Sequence, residues 1–186
     1  MELIEGDTVI LRPMTPGDVD MFLDWVNDLA ASPFWYGKDR PLTREELLGD
    51  WESYYFDGSA PEKGRGFIIE AESQPVGMVA YADVSYDIDR RPVRAEIDIV
   101  IGGSHQGRGY GVGAMRALIS YLFDGRGFHR IDVHTYEHNT RMRHLLEKLG
   151  FTMEGVSRQA AWVDGEFVDE MNYGLLSGEP GGSKRR

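Results

Sequence analysis

Apolar positions recur along the chain in two rhythms. Val19, Phe22, Leu23, Val26 and Leu29 follow at three- and four-residue steps, which places them on one face of a helix. Thr15-Pro16-Gly17-Asp18 precedes them, with threonine as N-cap and proline at the first helical position. Thr43-Arg44-Glu45-Glu46 is a capping-box start and predicts a second helix through Leu47, Leu48 and Trp51. Strand-like runs occupy Thr8–Leu11, Gly66–Ala71, Val76–Val84 and Arg94–Ile101, the middle two joined by a Ser73-Gln74-Pro75 turn. Helical spacing returns in Gly109–Phe123, with Val112, Met115, Leu118, Ile119 and Leu122 on one face. Ile131–Thr135 predicts a fifth strand and Thr140–Leu149 a helix stopped by Gly150. Val156–Val163 and Glu166–Leu175 predict a hairpin about Asp164-Gly165. No Gly/Pro linker interrupts residues 1–176, so they are expected to form a single mixed α+β domain. The Gly-, Pro- and Ser-rich stretch 177–186 is expected to be a disordered tail.

Composition narrows what such a domain can do. At 186 residues the chain is long enough to bury a core without disulfide or metal staples. It has no cysteine, which excludes disulfides, thiolate nucleophiles and cysteine metal sites. The net charge of −11 argues against nucleic acid, whose phosphates need a basic face. No apolar run approaches the ~18 residues of a membrane-spanning helix, so no membrane partner is expected. Met1–Asp7 lacks the basic and apolar regions of a signal peptide, which makes cytoplasm the expected compartment. The charge is uneven. Residues 1–93 hold 19 acids against 8 bases, residues 94–186 hold 12 of each, and segment 104–148 holds 7 bases against 4 acids. Either the asymmetry is incidental, or the molecule has two ligand surfaces of opposite preference.

The sharpest motif lies in the basic segment. Gln106-Gly107-Arg108-Gly109-Tyr110-Gly111 follows a strand and opens a helix. Unpaired N–H groups and the helix dipole favour an anion at such a helix start. Glycines let the chain turn tightly and let phosphate oxygens approach the backbone, and Arg108 could add a charge-assisted bond. The loop can therefore hold a pyrophosphate; a glycine-rich turn without ligand is the other reading. There is no Gly-Lys-Ser/Thr, so a triphosphate P-loop is excluded, and Gly107-x-Gly109-x-Gly111-x-Gly113 is not the dinucleotide spacing.

Gln106-x-x-Gly109-x-Gly111 resembles the acyl-CoA loop of the GNAT N-acetyltransferases. The resemblance runs over roughly residues 7–176. It includes Val9-Ile10-Leu11-Arg12-Pro13-Met14, Ala95–Gly102, Asn139-x-Arg141 followed by Leu146–Phe151, Glu154-Gly155 and Asp164-Gly165-Glu166-x-x-Asp169. The chain looks most similar to the branch of ribosomal-protein N-terminal acetyltransferases and aminoglycoside 6′-N-acetyltransferases. The resemblance implies a mixed twisted sheet of about seven strands, splayed between the fourth and fifth, with about four helices. It implies acetyl-CoA as co-substrate, no metal, a pyrophosphate on Gln106–Gly111, and a pantetheine arm along Ile99, Val100 and Ile101 that touches Asn139.

Amine acetylation needs a neutral amine held near a thioester, with donors for the developing oxyanion. The backbone N–H of Ile101 is the expected oxyanion donor. Glu96 and Asp98, two apart on a strand, share one face, opposite Ile97, Ile99 and Ile101. Two carboxylates on a covered face raise each other's pKa, which suits a base near neutral pH. The other use of the pair is ion pairing with Arg90, Arg91 or Arg94. In related aminoglycoside enzymes the Asp98 position acts at the acceptor amine, and in other GNAT enzymes the Glu96 position does. Many members place a tyrosine at the position of Leu146 to protonate the thiolate; here Tyr136 or solvent is expected to substitute, packing in the core being the other use of Tyr136. His134 and His138 do not form a helical zinc pair, because His134 falls on an expected strand. His134 either faces the site or pairs with an acid.

Segment 25–56 concentrates 8 of the 21 aromatic residues, among them Trp25, Trp35, Tyr36, Trp51, Tyr54 and Tyr55, interleaved with acids. In the family this region walls the acceptor pocket. Trp35 and Tyr36 are expected to bind the acceptor, with Asp83 at its mouth, while Trp25 and Trp51 serve the core or a possible homodimer patch. Aromatic faces with carboxylates suit a small cationic amine. The chain thus reads as an N-acetyltransferase for an aminoglycoside- or polyamine-like amine. Alternatives are the N-terminus of a basic protein, or CoA binding without turnover, the latter suggested by Leu146.

Overall fold

A computed structural model describes residues 3–28, 40–163 and 165–182. Its elements in chain order are β1 (Ile4–Glu5), β2 (Ile10–Pro13), α1 (Val19–Asn27), α2 (Arg44–Asp50), α3 (Tyr54–Asp57), β3 (Arg65–Ala71), β4 (Gln74–Tyr86), β5 (Pro92–Ile101), α4 (Tyr110–Ser120), β6 (Arg130–Tyr136), α5 (Thr140–Lys148), β7 (Thr152–Val163) and β8 (Glu166–Leu176). Short 3₁₀ turns at Pro16–Asp18 and Gly103–His105 lead into α1 and toward the glycine loop, and a π turn at Tyr121–Gly125 extends α4. The sheet has eight strands in the order β1-β2-β3-β4-β5-β6-β8-β7. Seven strands and four helices were expected; the two-residue β1 and the one-turn α3 are too short to leave a periodic signal.

The caps follow the sequence. Thr43 Oγ1 accepts from Glu46 N–H, and the Glu46 carboxylate accepts from Thr43 N–H, which closes the capping box of α2. Central strands bury both faces, so their alternation sorts side chains into two cores. Phe67, Ile69, Val79, Tyr81, Ala95 and Ile97 pack with α4 and α5 around Met115, Leu118 and Leu146. Ile68, Met78, Ala80 and Val100 pack with Phe22 and Val26 of α1, Leu47 of α2 and Phe56 of α3.

All sheet neighbours are antiparallel except β5 and β6, which pair in parallel over only three positions: Arg94↔Arg130, Ala95↔Ile131 and Glu96↔Asp132. Beyond Glu96 the two strands part. Arg130 guards the last paired position, its Nε 2.6 Å from Asp132 Oδ1, while Arg94 reaches Asp132 Oδ2 at 3.4 Å. Arg130 also holds Glu154 on β7. Residues 177–182, expected as part of a disordered tail, carry backbone bonds: Ser177 N–H to His129 O at 3.0 Å and Gly182 N–H to Glu179 O at 3.0 Å. Residues 183–186 lie outside the described residues. Among the described residues no helix is long and apolar enough to cross a membrane.

Candidate active site

Where β5 and β6 separate, a cavity of about 180 Å³ opens. Its wall includes Glu96, Asp98 and Ile99 of β5, His134 and Tyr136 of β6, and Asn139 beyond it. The expected split therefore exists, and it brings both candidate bases, the substitute acid and the expected pantetheine contact to one opening.

The opening has two sides. On the α4 side, Gly109 is the N-cap of the helix with φ +87, and Gly107 has φ +78. Only glycine holds such left-handed angles without strain, and nothing lies within 4 Å of where a Cβ on either would stand. The first turn of α4 therefore presents unpaired N–H groups to open space. The Gln106 side chain folds back, its Nε2 donating to Ile101 O at 2.9 Å. Arg108 is exposed. The Tyr110 side chain is buried and donates its hydroxyl to Glu72 Oε1 at 3.2 Å, so only its backbone faces the loop. Asn139 Oδ1 caps α5 by accepting from Met142 N–H at 3.1 Å.

Strand alternation decides which backbone groups of β5 face the opening. Gly102 N–H donates to Val76 O on the β4 side, so Ile101 and Ile99 turn their edges the other way. Val100 does not join them. Its side chain lies in the core with α1, and its backbone points toward β4, which corrects its expected place along a bound chain.

On the α1–α3 side lie the carboxylates. Burial pushes Glu96 up to about 7; His134 opposes the rise, and the charges of Asp98, Asp83 and Asp132 add to it. Burial and then Asp83 push Asp98 up to about 6. Two of the three arginines considered as their partners are engaged elsewhere, Arg94 with Asp132 and Arg91 with Asp89. Asp83 sits at a break in the β4–β5 register with φ +44, a left-handed angle that turns it out of the strand's alternation. Burial also raises the Tyr55 phenol, with the Tyr54 hydrogen bond and the charges of Asp98 and Asp83 contributing. Tyr55 is thus at this acidic mouth, stacked on Tyr54 at 4.5 Å, a place the aromatic count alone did not single out. Trp35 and Tyr36 lie outside the described residues. Trp51 is buried and meets Phe22 edge-on at 4.8 Å, as a core residue does.

Leu146, the position at which the family resemblance led to the expectation of a tyrosine acid, is fully buried in the α4–α5 core. Tyr136 is half-buried in the cavity wall, its phenol raised by burial and the charge of Glu170. Glu170 and Met142 line the same cavity and were not anticipated, because nothing in the chain marks which β8 or α5 side chain reaches the split. His134 pairs with an acid: its Nε2 lies 3.5 Å from Glu96 Oε2.

The family model of the acetyltransferase (GNAT) domain matches residues 8–152. The chain belongs to the GNAT acetyltransferase family. As a GNAT protein it is an N-acetyltransferase. It is 29% identical over 185 residues to YdaF of Bacillus subtilis, named as a candidate ribosomal N-acetyltransferase, with 96% of this chain and 97% of that one covered. It is 26% identical to the spermidine N(1)-acetyltransferase of Vibrio cholerae over 89% of this chain and 91% of that one. It is 27% identical to the aminoglycoside N(6')-acetyltransferase type 1 of Klebsiella pneumoniae, with 81% and 77% covered. The GNAT fold is shared with the solved V. cholerae spermidine N-acetyltransferase in complex with CoA and spermine. That likeness has a TM-score of 0.76, at 24% identity, and covers 91% of this chain and 95% of that one.

Proposed function

We propose that this GNAT enzyme moves acetyl from acetyl-CoA directly to a primary amine of a small polycationic acceptor, of polyamine or aminoglycoside kind. The observation that carries the reading is the convergence of Glu96, Asp98 and Asp83 on the acceptor side of the split, opposite an open, glycine-lined helix start. The α4 loop from Gln106 to Gly111 would receive the pyrophosphate on backbone N–H groups, with Arg108 beside it. The outward edges of Ile99 and Ile101, with Asn139, would align the pantetheine arm. Acetyl-CoA supplies the activated acyl group; the residues orient it and manage protons.

Glu96 and Asp98 draw in an ammonium by charge and accept its proton. Their raised values, about 7 and about 6, put that exchange within reach of neutral pH. The Ile101 N–H is placed to stabilise charge on the carbonyl oxygen. Tyr136 stays protonated, the form needed to hand a proton to the departing thiolate. With no cysteine to carry an acyl group, transfer is direct. Relatives acting on spermidine and on aminoglycosides support the acceptor class. The likeness to YdaF supports a second reading, the N-terminus of a basic protein.

A thiol-release assay with acetyl-CoA separates the two. Turnover with spermidine or an aminoglycoside is expected. Turnover only with basic N-terminal peptides would replace the first reading with the second.

A further inference from the structure

A row of polar side chains crosses three strand boundaries, from the middle of the sheet to its edge. It begins at Glu96 on β5, whose Oε2 lies 3.5 Å from His134 Nε2 on β6. The other ring nitrogen, Nδ1, lies 2.7 Å from Oδ1 of Asn172 on β8. Asn172 in turn donates from Nδ2 to Ser157 Oγ on the edge strand β7 at 3.0 Å. The register puts these groups side by side: His134 is opposite Asn172 and Glu96 is opposite Asp132, two residues before His134 on the same face. No spacing in the chain links residues 96, 134, 157 and 172; only the sheet order does.

The row fixes a tautomer. Because Asn172 uses its NH₂ on Ser157, the atom left for His134 is a carbonyl oxygen, which only accepts. With the oxygen so placed, a hydrogen on Nδ1 completes the row, and the neutral ring then turns the lone pair of Nε2 to Glu96. Glu96 and His134 then form a pair that takes up one proton between them. His134 is also the more open member, its side chain 35% exposed against 22% for Glu96.

Resting on the N-acetyltransferase reading above, we propose that His134 is a positioning residue and proton outlet for Glu96, held in its working tautomer by Asn172 and Ser157. An acceptor ammonium gives one proton to the Glu96–His134 pair as its nitrogen lone pair becomes free. The nitrogen bonds to the acetyl carbon, the C–S bond breaks, and the electron pair leaves on sulfur. The second nitrogen proton ends on the thiolate, and the first leaves to solvent from His134. One amide, one thiol and one released proton balance one ammonium and one thioester. The other ionisable groups facing the pair are Asp98 on the same strand, Asp83 from β4, Asp132 and Tyr136 from β6, and Glu170 from β8. Arg94 and Arg130, two residues before Glu96 and Asp132 on their strands, are held by Asp132, and the rest but the phenol are acids, so His134 is the basic group in contact with Glu96.

The test begins without turnover. In the ligand-free full chain, ¹⁵N NMR of the imidazole is expected to show the neutral ring of His134 with hydrogen on Nδ1. In Asn172→Leu, a side chain of similar size without the acceptor, the hydrogen is expected to move to Nε2. A neutral His134 that carries its hydrogen on Nε2 in the unaltered protein would overturn the proposal. So would a tautomer that Asn172→Leu leaves unchanged. The second readout is the pH profile of kcat/KM with acetyl-CoA and spermidine, CoA affinity being checked in parallel. His134→Gln is expected to shift the acidic limb to higher pH and to lower kcat/KM about tenfold near neutrality. A fall of equal size at every pH would mark a merely structural role and overturn the proposal. If no amine is turned over, the acceptor reading fails, while the NMR measurement still decides the Nδ1–H assignment.

Discussion

Glu96 and Asp98 show how burial raises the proton affinity of two ordinary carboxylates. Both lie on the covered face of β5, and both are pushed up, to about 7 and about 6. The sign of the stability consequence follows from proton counting. Between the ordinary values of 4.5 and 3.8 and these raised ones, the folded protein binds more protons than the unfolded chain. Stability therefore falls as pH rises through that window. Glu96→Gln or Asp98→Asn is expected to stabilise the fold above neutrality by about 1–3 kcal/mol, with the gain absent near pH 4. Thermal unfolding at the two pH values measures it. The same substitution in the residue that serves as base is expected to lower kcat by about 10²–10⁴-fold. Loss in neither variant would remove the carboxylate mechanism. Opposed signs for stability and activity are what an active-site charge held against its own solvation should give.

At the scale of elements, two short features decide whether a site exists. One is the start of α4. Gly109 is left-handed with open space where a Cβ would stand, so Gly109→Ala meets backbone strain and no clash. About 1–2 kcal/mol of destabilisation is expected, together with weaker CoA binding by calorimetry. Unchanged CoA affinity would argue against the loop as the phosphate cradle. The other feature is the three-residue seam between β5 and β6, closed by Asp132 with Arg130 and Arg94. Asp132 is buried, its side chain 6% exposed, so Arg130→Met leaves this carboxylate beside the split with the longer Arg94 contact alone. A loss of about 2–4 kcal/mol is expected in denaturant unfolding, mostly recovered when Asp132→Asn is added.

For the whole molecule, the uneven charge supports the proposed division between cofactor and acceptor surfaces more narrowly than the residue counts give. Of the bases in segment 104–148, Arg126 is spent on Pro61, Tyr81 and Tyr121, and Arg130 on Asp132 and Glu154. Neither is free to meet a cofactor, and Arg108, exposed in the glycine loop, is the base best placed for one. The acidic mouth, by contrast, gathers charge from β4 and β5. KM for spermidine is accordingly expected to rise about tenfold or more between ~0.01 and ~1 M salt, as screening shortens the reach of these carboxylates. A flat salt dependence would separate acceptor binding from the acidic half.

The sequence by itself determined what depends on neighbours along the chain. Helical spacing placed α1, α4 and α5, the Thr43–Glu46 box placed α2, and glycine order marked the loop that opens α4, because caps, periodicity and φ are local properties. It also placed Glu96 and Asp98 on one face, since a strand alternates whatever surrounds it. Tertiary structure alone decided the rest. The one-turn α3 forms where Phe56 can bury, and the face that Val100 shares with Glu96 and Asp98 becomes core at Val100 because α1 packs over it. Leu146 belongs to the core, not to the acid position relatives suggested. Asp83 comes within electrostatic reach of Glu96 and Asp98 at a break in register, and the Glu96–His134–Asn172–Ser157 row exists because β8 inserts between β6 and β7. Burial and sheet order set both the proton affinity of a carboxylate and the company it keeps, and neither is written in the spacing of residues.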